Sequence, residues 1–202
     1  PVTILGAGPR ATLLDGDGQY ALLRVSGAAG SLTLSDLTLT GGLDTYASAL
    51  RVDTDADASL TRVAVRGNTT DAGAQARFGG AIGVLGNVAL RDVSVSANTV
   101  STTDDDAWGG GVYVGAAATL NADTTTIAGN TARATSTGPP AAAMGGGLAS
   151  AGVTTLRHVT LARNTVSVTG GGTAQGGNLY RAGGTVTVND SVISGGVPQS
   201  CA

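Results

Sequence analysis

The apolar residues of this chain recur at fixed distances before a repeated asparagine. Mostly apolar side chains stand eight, five and three positions before it, with small or polar residues between them. Alternation with a period of two is typical of a strand with one buried face. The change of spacing from three to two predicts a corner between the first two of these positions. Complete copies of the element end at Asn68, Asn98, Asn130 and Asn164, with degenerate copies at 39–42 and 193–196.

A second repeated element begins with paired glycines and predicts a further short strand in each repeat. Its copies are Gly79-Gly80-Ala81-Ile82, Gly109-Gly110-Gly111-Val112, Gly145-Gly146-Gly147-Leu148 and Gly176-Gly177-Asn178-Leu179. The two elements alternate along the chain with a period of about 30 to 34 residues. Strands this short bury their apolar faces only by stacking on copies of themselves. We therefore expect an all-β chain, a single right-handed parallel β-helix over residues 1–202 with six to seven rungs and three short strands per rung.

The repeated asparagines have a structural explanation. In stacked rungs, Asn68, Asn98, Asn130 and Asn164 fall one above another at the end of equivalent strands. Stacked amide side chains hydrogen-bond to one another and satisfy backbone groups at a corner. We expect a structural ladder of asparagines.

These motifs carry a family resemblance. The Gly-Gly-Ala-Ile and aliphatic-x-x-Asn pairs resemble the GGAI and FxxN repeats of polymorphic outer membrane proteins, with Val, Ile or Leu in place of Phe. The stretch from Ile4 to Gly42 resembles the first rungs of bacterial β-helix proteins of the pectin-lyase-like superfamily. That superfamily holds adhesins, polysaccharide lyases, hydrolases and inert stalks. The resemblance implies a secreted or cell-surface location and a segment of a longer chain, which leaves open end-to-end contact with another solenoid segment.

Composition removes several classes of function. The chain has 33 glycines, no lysine, no glutamate and a formal net charge of −3. Nucleic-acid binding requires a basic surface, which this composition does not provide. No apolar run approaches the length of a membrane span, so we expect no membrane insertion by this segment. A glycan or another surface protein is the expected partner.

Four stretches between the asparagine and the next glycine pair are predicted to be loops that project from one edge of the rod. They span 69–78, 99–108, 131–144 and 165–175. Bulky residues stand just before the glycines, namely Phe78, Trp108 and Met144, with Tyr46 in a similar place. Stacked side chains of this kind either form an aromatic platform for sugar rings or fold back over the edge of the rod. The sequence leaves both alternatives open.

The outward positions of the glycine-led strand form a second candidate surface. They are Arg24, Arg51, Gly83, Tyr113, Ala149 and Tyr180. Arginine forks and aromatic faces suit an anionic or neutral glycan. Because no acid lies on these positions, the surface is predicted to bind such a glycan without cleaving it.

Acidic residues raise two further hypotheses. Asp104, Asp105 and Asp106 form the densest run of charge, which suits either Ca²⁺ or a solvated turn. The sole histidine, His158, either pairs with Asp190 of the next rung or lies exposed at a corner. The expected function is a non-catalytic extracellular rod or adhesin without a cofactor. The alternatives are a polysaccharide lyase or glycoside hydrolase, and a pure spacer.

Overall fold

The chain forms a parallel β-solenoid of about six turns, as the repeats predict. A computed structural model describes residues 1–71, 73 and 77–202, and all regular structure in this part is β-strand. In the described residues there is accordingly no helix of the length and apolarity needed to cross a membrane. The fold class predicted from the sequence is confirmed.

The strands are short and follow the repeats. The first three turns contain β1 Val2–Leu5, β2 Leu13–Asp15, β3 Leu23–Val25, β4 Ser31–Thr40, β5 Leu43–Asp44, β6 Leu50–Val52, β7 Asp57–Arg66, β8 Thr69–Asp71, β9 Arg77–Phe78 and β10 Ile82–Val84. The later turns contain β11 Asn87–Arg91, β12 Ser94–Ser96, β13 Thr99–Thr103, β14 Ala107–Trp108, β15 Val112–Val114, β16 Thr119–Asp123, β17 Thr126–Ala128, β18 Thr131–Thr135, β19 Ala141–Met144, β20 Leu148–Ser150, β21 Val153–Arg157, β22 Thr160–Ala162, β23 Thr165–Thr169, β24 Gly172–Gln175, β25 Leu179–Arg181, β26 Thr185–Asn189 and β27 Val192–Ser194.

Each strand pairs in parallel with its counterpart one turn away, so the described strands form four sheets. The main sheet contains the long strands β4 and β7. In later turns each long strand is replaced by two shorter ones, first β11 and β12, then β16 and β17, β21 and β22, and β26 and β27. The glycine-strand sheet has the order β25-β20-β15-β10-β6-β3. A third sheet has the order β23-β18-β13-β8-β5, and a fourth has the order β24-β19-β14-β9. Wherever the third and fourth sheets are both present, each turn contributes to four sheets, so it has strands in two sheets beyond the three expected strands.

The apolar rows meet in the core at the positions that their spacing predicts. Leu60 lies in register with Leu34 and Leu90, and all three are almost fully buried. The predicted corner is also present, because the residue six positions before the asparagine, or before the glycine in its place, has a left-handed backbone in six successive turns. These residues are Asp36, Arg62, Asp92, Thr124, His158 and Asp190, with φ between 47° and 58°. The corner redirects the chain while keeping apolar side chains inward on both sides of it.

The prediction of projecting loops after each asparagine is wrong. These stretches contain strands of the third and fourth sheets, although residues 72 and 74–76 of the first one lie outside the described residues. Their inward side chains form a second apolar cluster of Val100, Ala107, Ala132, Ala134, Ala141, Ala143 and Val166. Because most of these residues are small, the two sheets pack closely against each other.

The paired glycines meet two separate steric demands. The first glycine of each pair has a positive φ, for example 68° at Gly109, which turns the chain into the glycine strand. The second has no room for a side chain, since a Cβ on Gly110 would collide with the carbonyl groups of Gly146 and Thr131. The pair therefore fixes a sharp, closely packed corner next to the outward surface of the glycine strand.

Candidate functional site

Two parallel columns of side chains line the edge where the fourth sheet meets the glycine-strand sheet. Each turn contributes two residues, five positions apart, one on either side of the tight corner. From the second turn to the sixth the pairs are Tyr46 and Arg51, Phe78 and Gly83, Trp108 and Tyr113, Met144 and Ala149, and Gln175 and Tyr180. Strand register aligns the columns, since Trp108 is paired with Phe78 and Met144, and Ala149 with Tyr113 and Tyr180.

The aromatic members of both columns are in continuous contact. Ring centroids lie 5.9 Å apart for Tyr46 and Phe78, 4.6 Å for Phe78 and Tyr113, and 5.6 Å for Trp108 and Tyr180. Trp108 is also 6.4 Å from Tyr113 in an edge-on arrangement. All five rings are half-buried. We call these five residues the aromatic strip; they span about 19 Å at the usual spacing of about 4.8 Å per turn.

The strip combines the two arrangements that the sequence left open. The rings pack on one another, with planes inclined by 35° to 81°, so they do not form one flat platform. Small residues make room for neighbouring rings: Tyr46 lies against Gly83, where an added Cβ would be 3.0 Å from the Tyr46 ring. Met144, which the sequence grouped with the aromatic residues, is buried. Packing holds the rings in place while one part of each remains exposed.

An ionic cluster lies at the end of the strip nearest the first turn. Asp53 accepts hydrogen bonds from Nε of Arg24 at 2.7 Å and from Nε of Arg51 at 2.6 Å. Arg51 also stacks on Tyr46, with its Cζ 4.5 Å from the ring centroid. No acid occupies the outward positions of the glycine strand, but Asp53 reaches these arginines from just after the end of β6. Burial alone raises the pKa of Asp53, but the hydrogen bonds and charges of the two arginines outweigh it, and the pKa lies below its usual value.

The Asp104–Asp106 run is tied to the backbone of the following turn. Thr137 and Gly138 donate to the Asp104 carboxylate, and these hydrogen bonds lower its pKa. Asp106 accepts from the backbone N–H of Ala142 at 2.7 Å, and Asp105 from that of Asp106. Within residues 1–71, 73 and 77–202, no three histidine, cysteine or acidic side chains are grouped so that they could hold a metal ion. These hydrogen bonds give Asp104 and Asp106 a role in shaping the turn.

His158 lies exposed at a corner, which is one of the two alternatives from the sequence, and it pairs with Asp123. Its Nδ1 lies 3.1 Å from Oδ1 of Asp123 in the preceding turn, whereas the sequence suggested Asp190 in the following turn. The hydrogen bond from His158 is the main cause of a lowered pKa at Asp123. Both side chains are well exposed, at 52% and 38%. The pair lies at a corner of the main sheet, not on the aromatic strip.

The asparagine ladder joins successive turns in the interior of the solenoid. Asn98 Oδ1 accepts from the backbone N–H of Asn68 at 3.0 Å and from its side-chain amide at 2.9 Å. The same pair of bonds joins Asn98 to Asn130 and Asn130 to Asn164. All four residues are fully buried.

A fifth asparagine extends the ladder and was not predicted. Asn178 accepts from Asn164 at 2.8 Å and donates to the carbonyl of Ser194, although it belongs to the glycine element of its repeat. Gly196 occupies the equivalent asparagine position in the last turn, which leaves space for Asn178. The sequence signal for this exchange is Gly196: the last repeat has a glycine where the complete copies have the ladder asparagine, and Asn178 fills the place.

The comparisons with known proteins identify no relative. No family model matches the chain, and no curated protein and no solved structure matches it significantly. What fold and site define together is a class: a parallel β-solenoid of about six turns with an asparagine ladder inside and a half-buried aromatic strip along one edge.

Proposed function

We propose that this chain is a non-catalytic module that binds a glycan along the aromatic strip. The observation that carries the proposal is the unbroken contact of Tyr46, Phe78, Tyr113, Trp108 and Tyr180 over five turns, with every ring half-exposed. Contiguous apolar patches on a protein surface mark interaction sites. Aromatic rings offer a rigid apolar face beside a polar edge, which suits the mixed CH and hydroxyl surface of a pyranose.

The length of the strip favours an oligosaccharide over a single sugar. The rings extend along the solenoid axis for about 19 Å, a distance set by strand spacing. Because each ring is held by its neighbours, little side-chain entropy is lost when a ligand binds. A linear glycan lying parallel to the axis would contact the rings of successive turns.

The direction of the pKa shifts counts against four of the acids as proton donors in glycoside hydrolysis. Glycoside hydrolysis requires a carboxylic acid whose pKa is raised so that it can donate a proton. Asp36, Asp53, Asp104 and Asp123 instead have lowered pKa values, because their charged forms are stabilised by arginine, by histidine or, at Asp104, by the Thr137 hydroxyl and backbone N–H groups. The enzyme alternative, a lyase or hydrolase, would have to use other groups.

The resemblance to polymorphic outer membrane repeats and to pectin-lyase-like proteins extends the proposal to the cellular setting. It suggests that this module is secreted or displayed on a bacterial surface, as part of an adhesin or a structural rod. A protein partner or a purely spacing role would use the same fold without a glycan.

One assay separates these functions. The purified chain is passed over a panel of immobilised polysaccharides, and both its retention and the appearance of new chain ends are measured. We expect retention without new ends, and loss of retention in Trp108→Ala. New reducing or unsaturated ends would establish an enzyme, whereas lack of retention on every polysaccharide would favour the spacer.

A further inference from the structure

The ionic cluster at one end of the strip consists of one carboxylate, that of Asp53, between the guanidinium groups of Arg24 and Arg51. Both oxygens of the Asp53 carboxylate are in use: Oδ2 accepts from Nε of Arg24 and forms an ion pair with a terminal nitrogen of the same guanidinium, and Oδ1 accepts from Nε of Arg51. The Asp53 side chain is only 16% exposed, whereas that of Arg24 is 61% exposed. The carboxylate thus lies beneath the two guanidinium groups and binds them from the protein side.

The cluster also places Arg51 in the aromatic surface. Its guanidinium stacks on Tyr46 while Asp53 holds its Nε, so the planar group continues the line of rings. A guanidinium held in this way offers a flat face to a ligand, and the donors that would form a fork around a carboxylate are partly committed. An acidic sugar would have to compete with Asp53 for them.

From this geometry we infer that the strip selects uncharged glycans over acidic ones, and that Asp53 is the residue that sets this selectivity. The inference rests on the proposed glycan binding. Without Asp53, Arg24 and Arg51 would form a doubly positive end to the strip, which would attract a polyanion. With Asp53 in place the charge of the cluster is halved, and the net charge of the whole chain, −3, opposes the approach of an acidic polymer.

The protonation states are consistent with this role over a broad pH range. The arginines keep the pKa of Asp53 low, so it remains charged in neutral and mildly acidic solution. Burial raises the pKa of Tyr113 at the centre of the strip, so its hydroxyl remains neutral in the same range.

The test uses matched pairs of oligosaccharides that differ only at C6 of each unit, which is an alcohol in one member and a carboxylate in the other. Hexamers of β-1,4-linked mannose and mannuronate form one pair, and those of α-1,4-linked galactose and galacturonate form another. Binding is measured by calorimetry at low and high salt. We expect the wild-type chain to bind the neutral member of a pair at least about tenfold more tightly, a difference of about 1.4 kcal/mol, with little dependence on salt.

Asp53→Asn is the informative variant. It keeps the size of the side chain and removes the charge, so the ratio of acidic to neutral affinity should rise about three- to tenfold and binding of the acidic member should become sensitive to salt. Asp55→Asn, the same change at an exposed position two residues away, should alter neither. The salt dependence of wild-type binding tests the inference independently of the variants.

The possible failures differ. If the wild-type chain binds the acidic member equally well or better, or if Asp53→Asn leaves the ratio of acidic to neutral affinity unchanged, the selectivity inference is wrong and glycan binding stands. If the chain binds neither member of either pair, the proposed function is overturned, and the inference with it.

Discussion

Replacing one rung of the asparagine ladder should destabilise the whole solenoid. In Asn98→Ala, the backbone N–H of Asn68 loses its acceptor, and a buried unpaired group of this kind costs about 1–3 kcal/mol. Three further hydrogen bonds of the Asn98 side chain, to the Asn68 amide, the Asn130 amide oxygen and the Val65 carbonyl, are also lost. At about 0.5–1.5 kcal/mol each, the expected total is roughly 3–7 kcal/mol.

The measurement is thermal unfolding followed by circular dichroism. For a chain of this length each kcal/mol lowers Tm by about 2–4 °C, so we expect a decrease of at least about 6 °C. Asn121→Ala is the matched control, because Asn121 is exposed on the outer face of β16. If Asn98→Ala and Asn121→Ala lower Tm by the same small amount, the ladder does not stabilise the fold and the reasoning is refuted.

Three further predictions concern stability. Gly110→Ala should lower the free energy of unfolding in urea by about 3 kcal/mol or more, because its Cβ would meet two carbonyl groups. Gly138→Ala, with open space around it, should change that free energy by less than about 1 kcal/mol. Equal effects of the two variants would contradict the packing argument. Thr124→Asn should stabilise the chain by about 0.5–1 kcal/mol, since a β-branched residue at φ 50° is strained and asparagine tolerates this conformation; a lower Tm would count against it. Because Asp53 has a lowered pKa in the folded state, its charge contributes fully to stability above about pH 4, and this contribution is lost as the pH falls through the lowered pKa. The acid-induced decrease in Tm should therefore be smaller in Asp53→Asn than in the wild type.

The main architecture was predictable because each apolar row repeats with the turn. Leu60 and Leu90 occur at the same distance from their asparagines, and the register of the strands places them together. The extra strands were missed for a physical reason. Segments such as Thr131–Thr135 alternate threonine with alanine and arginine, and their inward side chains are too small to produce a clear apolar pattern, although they suffice for two sheets that pack closely.

The candidate site was only partly predictable, because a solenoid joins residues of different turns. The sequence assigns Trp108 and Tyr113 to two separate candidate surfaces, and their contact follows only from the tight corner at the glycines. The contact of Trp108 with Tyr180 requires in addition the register of three turns. For His158 the sequence leaves open a pair with Asp190 in its own column or an exposed corner position; the residue is exposed, and its ring reaches Asp123, one position earlier in the preceding turn. Which side chains touch across turns depends on how the turns stack, and the sequence alone does not fix those contacts to the exact residue.

The central claim is that the aromatic strip binds a glycan, and the fluorescence of Trp108 tests it most directly. Trp108 is the only tryptophan of the chain, so its emission reports from the strip alone. We predict that titration with a neutral hexasaccharide produces a saturable change in emission, and that Tyr180→Ala, which removes a ring in contact with Trp108, weakens the binding about threefold to tenfold. Unchanged Trp108 emission across neutral and acidic hexasaccharides, in a chain that circular dichroism shows to be folded, would contradict the claim.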